Sequence, residues 1–308
     1  MTNIPTISVC VCTFRRPELL LGLLESLAGQ SYSCKAFEVI VVDNDRNATA
    51  RPVIDHARVA LPNLTICYEV EPTSGVSFAR NRSVALARGR YLAFIDDDEY
   101  ACANWLKDLE ATLLESGADA VLGPVIPVFP SDSPKWTMDS GFFERPRFAT
   151  GTKLGSGEGR TSNALVLADL TKSRSPEAFA IKFARTGGED HDFFKWLVAQ
   201  GGSIVWCNSA DVYETVPLAR QTIAFILSRS FRTSVIYWQE EYALRPFVWS
   251  LLKAAQGAGG SIVWFLGGCL ALPAGLARTA SLWAKASRAA GRVGALFQLK
   301  PVGYGVPQ

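Results

Sequence analysis

The chain has 308 residues, is 48% hydrophobic and 19% charged, and carries a formal net charge of +2. Such a composition supports one large core or two smaller ones and excludes wholesale disorder; the near-neutral balance argues against a general nucleic-acid binder. The charge is unevenly spread, however: from Pro217 onward ten Lys and Arg stand against two acids, Glu240 and Glu241, which leaves the preceding residues net acidic.

In chain order, Ile7–Thr13 is a β-rich apolar run, and Pro17 opens PELLLGLLESLAGQ, whose apolar spacing predicts an amphipathic helix ending near Gly29. Phe37–Asp43 (FEVIVVD) predicts a second buried strand. Residues 53–60 predict a helix, 64–70 a strand, 77–88 a helix, 91–95 a strand, 104–115 a helix and 120–125 a strand. Continuous apolar strands separated by helices indicate an α/β fold whose mostly parallel sheet is covered on both faces. Residues 126–160 are rich in Pro, Gly, Ser and aromatics without clear periodicity. Within them the stretch GTKLGSGEG reads as a mobile surface linker or active-site lid. Residues 161–168 read as a strand, 190–200 as a helix and 203–215 as further strand.

Seven Cys are scattered without a CxxC pair, and only His56 and His191 accompany them, so a structural zinc site is not expected. Cys10 and Cys12 alternate inside an apolar run and read as small core residues. The start, MTNIPTISVCV, lacks the basic region and long apolar stretch of a secretory signal, and a reducing, cytoplasmic setting is expected. The glycines near residue 155 follow no strong strand, which excludes a dinucleotide-binding fingerprint there, and no GxxxxGK[ST] occurs.

Three strand ends are polar: Thr13-Phe-Arg15, Asp43-Asn-Asp45 and Asp96-Asp-Asp98. In such sheets ligands bind beyond the carboxyl ends of the strands, so these three should converge on one crevice. The run YLAFIDDDEY places four adjacent acids at a strand end, a costly cluster unless a cation or donor relieves it. A hard divalent ion, Mg²⁺ or Mn²⁺, is the simplest occupant, because it takes few carboxylates and shares its shell with water and phosphates; a solvated turn is the alternative. A second constellation, GGEDHD, precedes the helical FFKWLVAQ, where acids also complement a helix dipole. Two acid clusters about ninety residues apart suit sugar transfer, in which one site stabilises a leaving diphosphate and a separate carboxylate takes a proton from a hydroxyl.

Four stretches in order, SVCVCTFRRPELLLGLLESL, FEVIVVDND, SGVSFARNRSVALARGRYLAFIDDDE and GGEDHDFF, resemble the family 2 glycosyltransferases of GT-A fold over about residues 5–215. Cys12 stands where that family usually has Pro, and Arg15 where Asn is frequent. The resemblance implies that Thr13 and Arg15 line the nucleotide pocket and that Asp43 accepts from a uracil ring. It places Arg80 and Asn81 near the ribose or diphosphate, Asp96 and Asp97 on ribose or donor sugar, and Asp98 on the metal. Asp190 would be the general base, with the adjacent Glu189 as its rival. His191 would approach the metal or cap the helix, and Arg160 would meet the phosphates. The implied reaction is inverting: an acceptor hydroxyl displaces UDP from an α-linked donor to give a β-glycoside. The QxxRW motif of the family's processive synthases is absent, so one-sugar addition is expected, and the succinoglycan-building transferases are the nearest resemblance.

A domain of residues 1–216 is expected, followed by a helical region, 217–308. Residues 254–277 carry no charge and are long enough to cross a bilayer, but Gln256, six Gly and Pro273 dilute them. Arg278, Lys285, Arg288 and Arg292 follow, among Trp and Leu. Cationic helices bearing Trp suit an anionic membrane surface, and a peripheral or monotopic attachment at the cytoplasmic face is expected. The acceptor is then a saccharide linked to polyprenyl diphosphate. A helical appendage packed on the catalytic domain is the plain alternative. Two rival functions are a sugar nucleotidyltransferase, which would carry a Gly-rich loop where CTFRRPELL stands, and a non-catalytic nucleotide-sugar-binding membrane adaptor.

Overall fold

The computed structural model describes residues 4–174 and 177–299. β1 (Ile7–Thr13) turns into α1 (Pro17–Ala28), where Pro17 presets the helical φ at a position whose N–H would be orphaned. β2 (Phe37–Asp43), α2 (Arg51–Ala60), β3 (Ile66–Val70), α3 (Val76–Leu86) and β4 (Tyr91–Phe94) continue the alternation. Next come β5 (Glu99–Ala101), α4 (Trp105–Ser116), β6 (Ala120–Leu122), β7 (Val125–Val128) and α5 (Lys135–Asp139). β8 (Lys153–Leu154), β9 (Ala164–Leu167), α6 (Ala168–Ser173), α7 (Glu189–Ala199), β10 (Ile204–Trp206) and β11 (Val212–Thr215) follow, and α8 (Ile223–Ala243), α9 (Phe247–Leu270) and α10 (Leu276–Leu296) complete the described chain.

The main sheet has the order β3-β2-β1-β4-β9-β6-β10-β8. β3, β2, β1 and β4 pair in parallel, as do β6 and β10, whereas β9 is inserted antiparallel between β4 and β6. The expected mostly parallel α/β sheet is therefore present. Side chains alternate across β1: Ile7, Val9 and Val11 join the core under α1, α2 and α4, while Cys10 joins the opposite core under α3 and α7. Both faces are thus buried, which explains why these strands read as continuous apolar runs. Cys10 is a core residue as expected and Cys12, partly buried, packs against the same core; burial pushes the Cys10 thiol up to about 12.

The chain forms two compact units, one built from residues up to Ile126 together with Arg145–Glu214, the other from Pro127–Glu144 and the residues after Glu214. In the first unit, residues 120–125 make β6 and the start of β7, separated at Gly123-Pro124. Asn163, at φ +61°, donates from Nδ2 to Pro124 O (2.8 Å) and Ala210 O (2.6 Å) and accepts from Trp105 Nε1 (2.8 Å). The expected strand over 203–215 is likewise divided into β10 and β11, which pairs antiparallel with β5. The glycine-rich stretch after residue 150 is built into the fold: β8 pairs antiparallel with β10 and a 3₁₀ turn follows at Ser156–Glu158.

The second unit is helical. Thr222 caps α8 by accepting from Phe225 N–H (3.1 Å). Buried Gln221 donates to Ser133 Oγ and Val216 O and accepts from Thr137 Oγ1. The uncharged stretch 254–277 is not one helix: α9 ends at Leu270, a 3₁₀ turn containing Pro273 intervenes, and α10 begins at Leu276. Among the described residues no helix is long and apolar enough to cross a membrane. Residues 300–308 of the expected tail lie outside the described residues.

Candidate active site

The polar ends of β1 and β4 meet in the first unit. Thr13 Oγ1 donates to Asp97 Oδ2 (2.7 Å), a contact delivered by the parallel pairing of β1 with β4. Arg16 lies 2.6 Å from Asp97 Oδ1 and donates to Asp98 Oδ2 (2.8 Å). Asp97 is fully buried, and its Oδ1 has a charge partner in Arg16 but no well-formed hydrogen bond. Burial pushes its carboxyl up to about 7, against the lowering pull of Arg16 and Thr13. Buried Glu99 accepts from Asp96 N–H through Oε2 (2.9 Å) and closes the acidic turn on itself; burial raises its carboxyl as well.

Arg80 joins this cluster to the second one. Its guanidinium donates to Glu189 Oε1 and approaches Asp96 Oδ1 at 3.5 Å. Burial opposes its charge, but Glu189, Asp96 and Asp190 together hold its pKa above the ordinary value. Glu189 is 4% exposed, and its second oxygen, Oε2, has no hydrogen-bond partner. Burial therefore pushes Glu189 up to about 7 despite Arg80. Gly187 and Gly188, at φ +79° and +103°, make the left-handed turn that starts α7, a conformation costly for other residues. Asp190 then stands half-buried in the first turn, its Oδ1 accepting from His191 N–H (2.7 Å).

The remaining predicted residues take different parts. Arg15, at φ +55°, donates from Nε to Asp45 Oδ2 (3.0 Å) and lies beside Phe14. Asp43 is fully buried and accepts from Asp45 N–H, Ala50 N–H and Tyr68 O–H, which occupies three of about four acceptor positions on a carboxylate. Asn81 does not join Arg80: its amide clasps the backbone of Phe179, donating to the carbonyl (2.7 Å) and accepting from the N–H (2.9 Å). One position along a helix turns a side chain by about 100°, so neighbours on α3 serve different faces. Arg160 is exposed.

Three contributors escaped the sequence reading. Arg16 is the partner of Asp97 and Asp98, and its signal is its place beside Arg15 in the RRP triplet at the end of β1. Asn44 donates to Glu71 O and Thr73 O and accepts from Gly75 N–H, fixing the loop that enters α3. Arg145 pairs with Glu214 (3.1 Å) and bears electrostatically on Asp96 and Glu99; nothing in the aperiodic segment around it marked it.

The donor set fits a hard divalent cation. Adjacent carboxylates offer oxygen only, and the side chains of Asp96 and Asp98 are 43% and 12% exposed. Among the described residues no group of three or more His, Cys, Asp or Glu is arranged to hold a metal.

Residues 8–163 match the family model for Glycosyl transferase family 2. The succinoglycan biosynthesis protein ExoM of Rhizobium meliloti (strain 1021) is 36% identical over 260 residues, 82% of each chain. The UDP-Glc:alpha-D-GlcNAc-diphosphoundecaprenol beta-1,3-glucosyltransferase WfaP of Escherichia coli is 27% identical over 94 residues, 30% of this chain and 36% of that one. The mannosyltransferase PcManGT of Pyrobaculum calidifontis, solved in complex with GDP-Man and Mn²⁺, aligns with a TM-score of 0.63 at 19% identity, covering 96% of this chain and 88% of that one.

Proposed function

The chain belongs to Glycosyl transferase family 2, and from that membership we propose an inverting, metal-dependent transferase. It moves one sugar from a UDP-sugar to a saccharide carried on polyprenyl diphosphate, in the assembly of a cell-surface or exopolysaccharide. The observation that carries this reading is Arg80: one guanidinium spans Asp96 and Glu189 and so gathers two acid clusters from distant parts of the chain.

In this reading Asp190 is the base. Glu189 is buried and engaged by Arg80, whereas Asp190 stands half-buried at the start of α7, with its Oδ1 accepting from His191 N–H. The Asp190 carboxylate takes the proton of the acceptor hydroxyl as that oxygen attacks the anomeric carbon. The bond to UDP breaks on the opposite face, and the bond pair leaves with the diphosphate. Asp98 would hold Mg²⁺ or Mn²⁺, whose charge, when bound, offsets that of the departing diphosphate. Asp96 and Asp97, with Thr13 and Arg15, would position the donor. Single addition is supported by the missing QxxRW motif and by Gln221, whose amide is spent on Ser133, Thr137 and Val216.

Attachment to an anionic membrane surface is supported by α9. Its buried residues are Ser250, Ala254, Gly257 and Gly268, while Phe247, Val248, Leu252, Val263, Leu266 and Leu270 are exposed. This is the reverse of a water-facing helix, and large contiguous apolar surface marks a contact with membrane or protein. The lipid carrier of the acceptor is supported by the Escherichia coli relative, whose name gives a diphosphoundecaprenol-linked acceptor.

UDP titrated calorimetrically with and without Mn²⁺ tests the donor site. Metal-dependent binding should be lost in Asp98→Ala, and absence of UDP binding by folded wild type would reject the reading. Asp190→Asn should lower transfer by about 10²-fold or more; near-normal transfer would remove Asp190 as the base.

A further inference from the structure

Within the helical unit, α8, α9 and α10 line a cavity of about 440 Å³. Tyr237 and Trp238 come from α8, Trp264 from α9, and Lys285, Arg288 and Arg292 from α10. The three cations recur at spacings of three and four residues, which places them on one helical face, where like charges repel. Among the described residues none of them pairs with a carboxylate. Two are instead held against aromatic faces: Lys285 Nζ lies 4.9 Å from the centre of Trp264, and Arg292 Cζ 4.7 Å from that of Trp238. Arg288 is exposed.

The arrangement is built by close helix packing. A Cβ on Gly257 would come within 2.6 Å of Ala289 O and 2.8 Å of Arg292 Cβ. Ser234 Oγ donates to Arg288 O (2.6 Å), which ties α8 to the cationic stretch of α10. Trp264 links this cavity to the apolar face of α9, since its neighbours Ile262, Val263, Phe265 and Leu266 are each more than half exposed.

Three cations on one face, with no carboxylate partner among the described residues, favour a multiply charged anion, and Arg is suited to phosphate oxygens. The adjoining apolar surface favours an anion that carries a long hydrocarbon chain. We propose that this cavity binds the diphosphate of a lipid-diphosphate carrier, with the lipid chain leaving along the exposed face of α9. The assignment rests on the proposed lipid-linked acceptor and adds the place where its carrier is held. A diphosphate matches three cations better than the single charge of a bilayer phosphodiester, so the commitment is to the former.

The test titrates farnesyl diphosphate into the full chain by calorimetry, with EDTA present so that no metal-linked binding at the acid clusters contributes. Wild type should bind it at least about tenfold tighter than inorganic pyrophosphate. Arg288→Gln/Arg292→Gln should weaken it by about tenfold or more, whereas Arg245→Gln/Arg278→Gln, which removes the same charge from the same unit, should stay within about twofold. Both variants should keep wild-type UDP binding in separate titrations with Mn²⁺, which reports that they are folded. Equal loss in the two variants, or no loss in the first, would overturn the site. Pyrophosphate binding as tightly as farnesyl diphosphate would make it a free-anion site. Competition of equal strength from phosphatidylglycerol vesicles would make it a phospholipid site; either result rejects the proposal. Normal UDP binding without farnesyl diphosphate binding rejects this inference alone, and the converse rejects the donor reading alone.

Discussion

Replacing Glu189 by Gln should change how stability depends on pH. Glu189 is buried, one oxygen is bound by Arg80, and the other has no hydrogen-bond partner, so burial lifts its pKa from 4.5 to about 7. A folded pKa above the unfolded one means that the native state holds the proton more tightly. Stability is then lost as pH rises from the unfolded towards the folded value. At about 1.4 kcal/mol per pH unit, this group removes about 3 kcal/mol of stability by pH 8 relative to pH 4. Gln keeps an oxygen for Arg80 and does not titrate. It leaves an unsatisfied amide in place of the carboxyl, which costs about 1–3 kcal/mol at every pH. The prediction therefore concerns slope and not absolute stability. Urea denaturation of both proteins across this range should show the wild type losing about 3 kcal/mol more than Glu189→Gln. Parallel curves would refute the argument that an unpaired buried oxygen sets this pKa. In the same variant, transfer should fall far less than in Asp190→Asn, because in the proposed mechanism Glu189 positions Arg80 and Asp190 takes the proton.

Arg16, its side chain 39% exposed, holds both Asp97 and Asp98. Arg16→Ala should let Mn²⁺ bind at least about threefold tighter without nucleotide, as read by calorimetry, since a competing cation is gone; unchanged affinity would contradict this. Asn163→Ala strands Trp105 Nε1 and two buried carbonyls, so urea denaturation should show a loss of about 3–6 kcal/mol, and a loss below about 1 would rule out a structural role for this network. Val263→Glu/Leu266→Glu places charge on the exposed face of α9 and should reduce sedimentation with phosphatidylglycerol-containing vesicles about tenfold with UDP binding intact; undiminished binding would move membrane contact elsewhere.

The strands that are buried on both faces are legible in the sequence alone. Ile7–Thr13 and Phe37–Asp43 are recovered to the residue because sustained burial writes itself into a continuous apolar run. Pro17 likewise marks its helix start through local backbone chemistry. The acid clusters were legible too, one after the end of β4 and one in the first turn of α7, because runs of charge stand out without any knowledge of their partners. What relieves them was not. Arg16 meets residues more than eighty positions away, Arg80 bridges to Glu189 across 109, and Asn81 is turned to Phe179 although it adjoins Arg80. Such pairings depend on strand order and helix rotation, which no local pattern encodes. β9 enters the sheet antiparallel because the fold seats it between β4 and β6, not because its residues differ from those of a parallel strand. In α9 the sequence displayed only an uncharged, glycine-rich stretch. Which residues face α10 is set by helix packing, and these are the small ones, because only they let the helices approach closely; the large apolar side chains are left outside.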